Sequence, residues 1–250
     1  MKSDHNEAVS TVIALMLILA ILSTCIAIYS ATYIPGLKQQ SEILHSEEVQ
    51  YAFQRLSSDV DNLYSLGRPA QFSEPVPLGG GDILLSLVKS SGTIELQKKN
   101  IVSITVGGEE FDVETTSVSY TPSYSSWELQ GYLYQNGVVW ITKGTKKTPA
   151  DLILHTVKMG TDQESETINK WLTAMRPVPS GENYTMQIVS MIPADGKSSV
   201  TGSGIAKIRL NAVAVKEKTY HNTSIMFDSE PILSSVNVTL KILQIEVSVT

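Results

Sequence analysis

Val9 to Ile34 reads VSTVIALMLILAILSTCIAIYSATYI, and no charged residue stands between Glu7 and Lys38. Apolar residues fall on every side of a helix drawn through this stretch. Such a helix needs an apolar shell, and near a chain terminus that shell is a bilayer, whose hydrocarbon core takes about 20 helical residues. The hydroxyls of Ser10, Thr11, Ser23, Thr24, Ser30 and Thr32 fit this reading by bonding back to the preceding turn. The segment is therefore expected to be a retained transmembrane helix. A cleaved secretory signal would show a basic start, a short apolar core and a small-x-small exit. Here Lys2 is the one basic residue before the run, and the best exit, Cys25-Ile26-Ala27, lies inside it. Leu22-Ser23-Thr24-Cys25 approximates a lipobox, but apolar sequence continues beyond it, so Cys25 reads as a small apolar helix residue.

Pro35 and Gly36 follow the run. Pro35 has no N–H for the carbonyl of Ala31, so a kink or break is expected there. Helical periodicity then resumes: Val49, Ala52, Phe53, Leu56, Val60 and Leu63 recur at spacings of three and four, with charged residues elsewhere on the wheel. The pattern predicts an amphipathic helix from about Lys38 to Leu66, ended by Gly67 and kept from resuming by Pro69. Its stripe is expected to pack on the protein's own β domain. Stacked end to end, the two pieces would make a rod on the order of 80 Å long.

From Ala70 to Gly81 the sequence AQFSEPVPLGGG reads as a crossover, and strand signals dominate thereafter. Candidate strands are 83–89, 93–97, 101–106, 111–120, 127–134, 138–143, 152–158, 184–192, 205–216, 223–227 and 236–249, with a short helix over 164–175. Asn136-Gly137 is the clearest two-residue hairpin connection. The fold class is therefore α+β: a long amino-terminal helix, then an antiparallel β-sandwich or jelly-roll-like head. With 30 Ser and 21 Thr in 250 residues, the composition agrees with a β-rich head.

A formal charge of −6 excludes a nucleic-acid partner, whose phosphates call for a basic face. One cysteine allows neither an internal disulfide nor a cysteine-ligated metal. His5, His45, His155 and His221 are scattered and form no metal-binding pair. No Gly-x-Ser-x-Gly elbow occurs, and Gly79-Gly80-Gly81 and Gly202-Ser203-Gly204 precede strands instead of opening helices. No catalytic residue, cofactor or metal is assigned, and Gly79 to Gly81 reads as a flexible entry into the head. Asn183, Asn222 and Asn237 head Asn-x-Ser/Thr triplets and are candidate N-glycosylation sites; Asn222, near an expected turn, is the first choice. Tyr120, Tyr124, Trp127, Tyr132, Tyr134 and Trp140 cluster in a short span. They read either as cross-strand pairs or as an outward platform for a glycan, with some rings expected outward.

Asn6-Glu7-Ala8-Val9-Ser10-Thr11-Val12-Ile13-Ala14-Leu15-Met16-Leu17 resembles the amino-terminal signature of archaeal type IV pilin-like proteins. The likeness covers roughly residues 6 to 66, with Thr11 and Ala14 where the family often has proline and glycine. It implies a class III signal peptide cut by a prepilin peptidase, with Glu7 and Ala8 before the cut and Val9 the new amino terminus. The implied layout is a leader over residues 1–8, a transmembrane and pilin-core helix over 9–34, an amphipathic stalk helix over 35–69 and an extracellular β-rich head over 70–250. The implied function is structural: a cell-surface subunit anchored in membrane lipid, then joined to copies of itself or other pilins through the helix, with a surface glycan or protein as its adhesive ligand. A permanently anchored single-span binding protein, a minor pilin and a surface hydrolase are the alternatives.

Overall fold

The computed structural model describes residues 4–80, 89–135, 137–150, 177–227 and 229–250, with side chains from Thr11 onward. The expected strands over 83–89 (all but Lys89) and 152–158 and the helix over 164–175 lie outside the described residues, as does Asn136. Helix α1 runs Asp4–Ile28, a π-helical segment Tyr29–Tyr33 follows, and α2 runs Ile34–Leu66. The irregularity at Pro35 is thus a widened turn inside a continuing helix. The N–H of Ile34 reaches back to the carbonyl of Tyr29, one residue further than an α-helical bond. The extra residue gives the ring of Pro35 room in the first turn of α2, where its missing N–H matters least. A Cβ on Gly36 would meet nothing within 4 Å, so that glycine is not sterically required.

Helix α2 ends as the sequence implies. Gly67 takes φ +54° and its N–H bonds to the carbonyl of Leu63 at 3.1 Å, closing the last turn in the left-handed form that glycine tolerates.

The head is one large sheet. Its strands are β1 Gln71–Pro77, β2 Ser91–Val106, β3 Glu109–Ser123, β4 Gln130–Gln135, β5 Val138–Lys143, β6 Lys146–Pro149, β7 Val178–Ser180, β8 Asn183–Pro193, β9 Ser199–Gly202, β10 Ile205–Phe227 and β11 Glu230–Val249. Their order is β6-β5-β4-β3-β2-β10-β11-β8-β7, with β1 beside β10 and β9 beside β2. Pairing is antiparallel throughout except between β8 and β11. The described strands are therefore joined in one hydrogen-bonded sheet. Strands β2 and β10 pair only over Ile104–Val106 and Ile225–Phe227 and then diverge. Strand β9 lines the freed edge of β2 and β1 that of β10. Across the divergence β3 approaches β8, where Thr116 Oγ1 donates to the carbonyl of Met191 at 3.0 Å.

Several expected boundaries move. The segments 205–216 and 223–227 are one strand, β10, and 93–97 and 101–106 are one strand, β2. Both are carried through by bulges. Asn222 therefore lies inside a strand, not at a turn. The Ala70 to Gly81 crossover contains β1 despite Pro75 and Pro77. The amide of Leu78 bonds to Gly204 and that of Ala212 to Ala70, so even-numbered residues of β1 carry the ladder to β10. Both prolines stand at odd positions, where a missing N–H costs nothing on the paired side and blocks a further strand on the open edge. Gln135 stands opposite Val138, so a two-residue connection joins β4 to β5, and Gly137 takes φ +76°.

Burial in the β8–β10–β11 layer changes face. In β11 Val238 and Leu240 are buried, then Leu243, Ile245, Val247 and Val249. In β8 Met186 and Ile188 are buried, then Val189 and Met191. The change lies level with Val215 to Lys218 of β10, just beyond the bulge between Ala212 and Ala214. Helix α2 buries Val49, Ala52, Phe53, Leu56, Val60 and Leu63, each 2% exposed or less, against the head. Arg55 on its flank clamps Glu74 of β1, Nη2 to Oε1 at 2.6 Å.

Candidate functional site

Two features are built into the long helix: an apolar surface that the head leaves bare, and a polar seat that fixes the helix to the head. Every residue from Thr11 to Tyr33 is exposed. Met16 is 65% exposed and Ile21 61%. The exposed length of roughly 23 residues at about 1.5 Å each matches a bilayer core of about 30 Å. The helix is long and apolar enough to cross a membrane. Two of its hydroxyls are turned inward on the backbone, Thr24 Oγ1 to the carbonyl of Ala20 at 2.8 Å and Thr32 Oγ1 to that of Ile28 at 2.7 Å. Tyr29 and Tyr33 lie on one side at the end of the run, rings 5.2 Å apart, where an aromatic belt would stand. Cys25 is exposed among them. Glu7, Ala8 and Val9 lie within α1, and Asp4 opens it.

Below Val49 the buried stripe of α2 changes chemistry. Its core-facing positions are Lys38, Glu42, His45 and Ser46, all 5% exposed or less. Glu42 accepts at Oε1 from Ser90 Oγ at 2.8 Å and from the amide of Ser125 at 3.0 Å, and at Oε2 from the amide of Ser126 at 2.9 Å. One carboxylate thus gathers two backbone donors of the loop between β3 and β4, and that loop is why β4 starts at Gln130 and not at Trp127. His45 Nε2 lies 3.1 Å from the carbonyl of Pro77, which only accepts, so this nitrogen carries the proton. Nδ1 then accepts from the hydroxyl of Tyr124 at 2.8 Å. Burial holds the imidazole below its ordinary pKa, against the opposing pull of the Pro77 carbonyl and of Glu48 and Glu42. Ser46 Oγ pairs with the hydroxyl of Tyr132 at 2.8 Å, which also accepts from Gln130 Nε2 at 2.8 Å.

The aromatic cluster belongs to this seat. Tyr120, Tyr132 and Tyr134 are 1% exposed or less, and Tyr124 and Trp140 are buried. The expectation of outward rings is overturned for Tyr120, Tyr124, Tyr132 and Tyr134, which α2 covers, with Phe53 6.0 Å from the ring of Tyr132; Trp140 stands opposite Leu133 and is buried on the other face of β4 and β5. Trp127 alone of the six is half-exposed, 5.9 Å from Tyr124. Burial pushes the Tyr124 hydroxyl up to about 12 and that of Tyr120 higher still, so both stay protonated. Tyr120 donates to the carbonyl of Leu78 at 3.1 Å. Gly79 and Gly80 are not a flexible entry. A Cβ on Gly80 would come within 2.8 Å of the His45 ring, and one on Gly79 within 2.2 Å of the Ser90 carbonyl. The seat is a latch in which Glu42, His45, Ser46, Tyr120, Tyr124 and Tyr132 spend their polar groups on one another and on groups of the head, while the buried hydroxyl of Tyr134 has no hydrogen-bond partner among the described residues.

The glycosylation candidates fall in three settings. Asn183 is exposed at the start of β8. Asn222 is exposed at φ +46° inside β10, and its amide donates to Asn237 Oδ1 at 3.0 Å. Asn237 is half-buried in β11. His45 is in the seat and His221 exposed on β10; among the described residues no group of three or more His, Cys, Asp or Glu side chains is placed to hold a metal. No protein-family model, no curated protein and no solved structure matches this chain.

Proposed function

We propose that this chain is a structural subunit of the cell surface that works as archaeal type IV pilin-like proteins do. It is anchored by α1 in the membrane, cut by a prepilin peptidase between Ala8 and Val9, and then packed into a filament through the same helix, with its β head outside the cell. The observation that carries this is the bare helix from Thr11 to Tyr33, continuous with a helix whose lower end is locked into the head. Eleven large aliphatic side chains between Val12 and Ile28 are more than half exposed. Left in water they would cost on the order of 20 kcal/mol, so lipid or other helices must cover them. Leu44 and Tyr51 of α2 remain 54% and 59% exposed, seven residues apart, with half-exposed Leu37 seven before. That spacing carries an apolar seam past the bilayer, which suits a neighbouring helix better than a lone anchor.

Cleavage is the switch in this scheme. With the leader attached, Lys2, Asp4 and Glu7 would have to enter an apolar bundle, and charge there is costly. Small residues such as Ala14, Ala20 and Ala27 then allow close helix packing. The test is electron microscopy of surface filaments from cells carrying Val9→Asp in place of the natural chain. Loss of filaments with the protein retained in the membrane supports the proposal. Ordinary filaments from Val9→Asp, or a natural chain that stays in the membrane as a single-span binding protein, would overturn it.

A further inference from the structure

A cleft of about 310 Å³ opens on the sheet face of the β8–β10–β11 layer at the level where burial changes sides. Its floor is two cross-strand rungs. Lys216, Ile242 and Ile188 stand side by side on β10, β11 and β8, and Ala214, Gln244 and Ser190 form the next rung. All six lie on one face. Glu110, Phe111 and Asp112 of β3 form the wall. The cleft exists because β3 leans toward β8 across the divergence of β2 from β10, whereas the bulge in β10 turns the next rungs' apolar side chains away from it.

The chemistry of the lining is mixed. Ile242 and the ring of Phe111 make a small apolar patch, with the buried Ile188 beneath it. Around it stand a hydroxyl, an amide, an ammonium and two carboxylates, groups that between them donate and accept. Among the described residues no side-chain hydrogen bond or ion pair engages Ser190, Lys216, Gln244 or Glu110. Asp112 is held by Ser103 Oγ at Oδ1, 2.6 Å away, which orients its other oxygen. Two carboxylates disfavour an anion and Lys216 disfavours a cation. A neutral ring with one apolar face and hydroxyls that both donate and accept satisfies every group, and the volume stands at the lower end for a small-molecule site.

The geometry points to a binding site for one neutral sugar residue, stacked by its C–H face on Phe111 and Ile242. Asp112 and Gln244 take its hydroxyls, and Lys216 and Glu110 close the rim. This rests on the adhesive side of the proposed function and moves the glycan contact from the buried aromatic cluster of β3, β4 and β5 to the β8–β10–β11 layer. Titration of the purified chain reads the cleft alone, whether or not filaments form.

The test is saturation-transfer difference NMR on the full chain in phospholipid nanodiscs, with the methyl glycosides of mannose, glucose, galactose and N-acetylglucosamine as probes and leucine as the zwitterionic comparison. At least one glycoside is expected to bind with a dissociation constant on the order of 1 mM, the range open to a ligand of this size. Gln244→Ala and Asp112→Asn, each checked for an unchanged unfolding midpoint, are expected to weaken it by about tenfold or more. Glu217→Gln, in the adjacent β10 position and pointing to the other face, is expected to leave it unchanged. Silence from all four glycosides, binding that survives both variants, or binding of leucine alone would overturn the assignment.

Discussion

Replacing Glu42 by alanine removes the acceptor on which the helix, Ser90 and the β3–β4 loop converge. The carboxylate is fully buried and makes close bonds to Ser90 Oγ, Ser125 N and Ser126 N. Ser90 is 4% exposed, so its hydroxyl loses its partner away from water, at about 1–3 kcal/mol. The amides of Ser125 and Ser126 belong to residues open to solvent and recover part of their loss by hydrating. Removing a buried charge also removes its desolvation cost, which offsets some of the damage. The net expectation is a loss of about 2–4 kcal/mol. Glu42→Gln keeps one carbonyl oxygen but loses an acceptor, and is expected to cost about half as much. The assay is chemical unfolding of the full chain in nanodiscs, with amide hydrogen exchange at Ser125 and Ser126 as the local readout. Faster exchange at both amides, together with a lower midpoint, is expected. An unchanged midpoint and unchanged protection in Glu42→Ala would refute the claim that this carboxylate holds the loop.

Stability should also fall on acidification through His45. Its pKa is lowered in the folded chain by burial, so the unfolded chain takes up the proton first. The contribution is complete above about 6.5, the ordinary imidazole value, and is lost as pH falls below it; unfolding midpoints of the natural chain and His45→Gln, compared from neutral to mildly acidic pH, should converge as the pH drops. Phe53→Ala empties a fully buried position against Tyr132 and is expected to cost about 3–5 kcal/mol by chemical unfolding. Gly80→Ala drives a methyl group into the ring of His45 and should cost about 1–3 kcal/mol, with His45→Ala in the same chain restoring part of the loss.

The long helix was legible in the sequence because its signals are local. A run without charge, a resumed stripe of three-and-four spacing, and Gly67 followed by Pro69 each act within a few residues. The polar seat was half legible. Stepping back from Val49 along the stripe lands on Ser46 and His45, then Glu42, Lys38 and Ile34, which are the buried positions. Their partners come from 32 to 86 residues away, so no local pattern announced them. Strand alternation placed Tyr132 and Tyr134 on one face without saying which face the helix would cover. Bulges at Ala212/Ala214 and beyond Tyr220 carried β10 through a stretch that reads as a turn, because hydrophilic residues such as Lys216, Glu217 and Lys218 are tolerated in a long strand whose exposed face is solvated. Strand β1 was missed because proline is a warning against pairing on both sides, and this strand pairs on one. The cleft depends on three strands and a wall distant in sequence, and no motif marks it.

The central claim is that the bare helix is freed for assembly by removal of its leader, and the most direct test is mass spectrometry of the amino-terminal peptide of the protein taken from its native membranes. A peptide beginning at Val9 is the result this account predicts. A peptide beginning at Met1 or Lys2, or at a lipid-bearing Cys25, would contradict it.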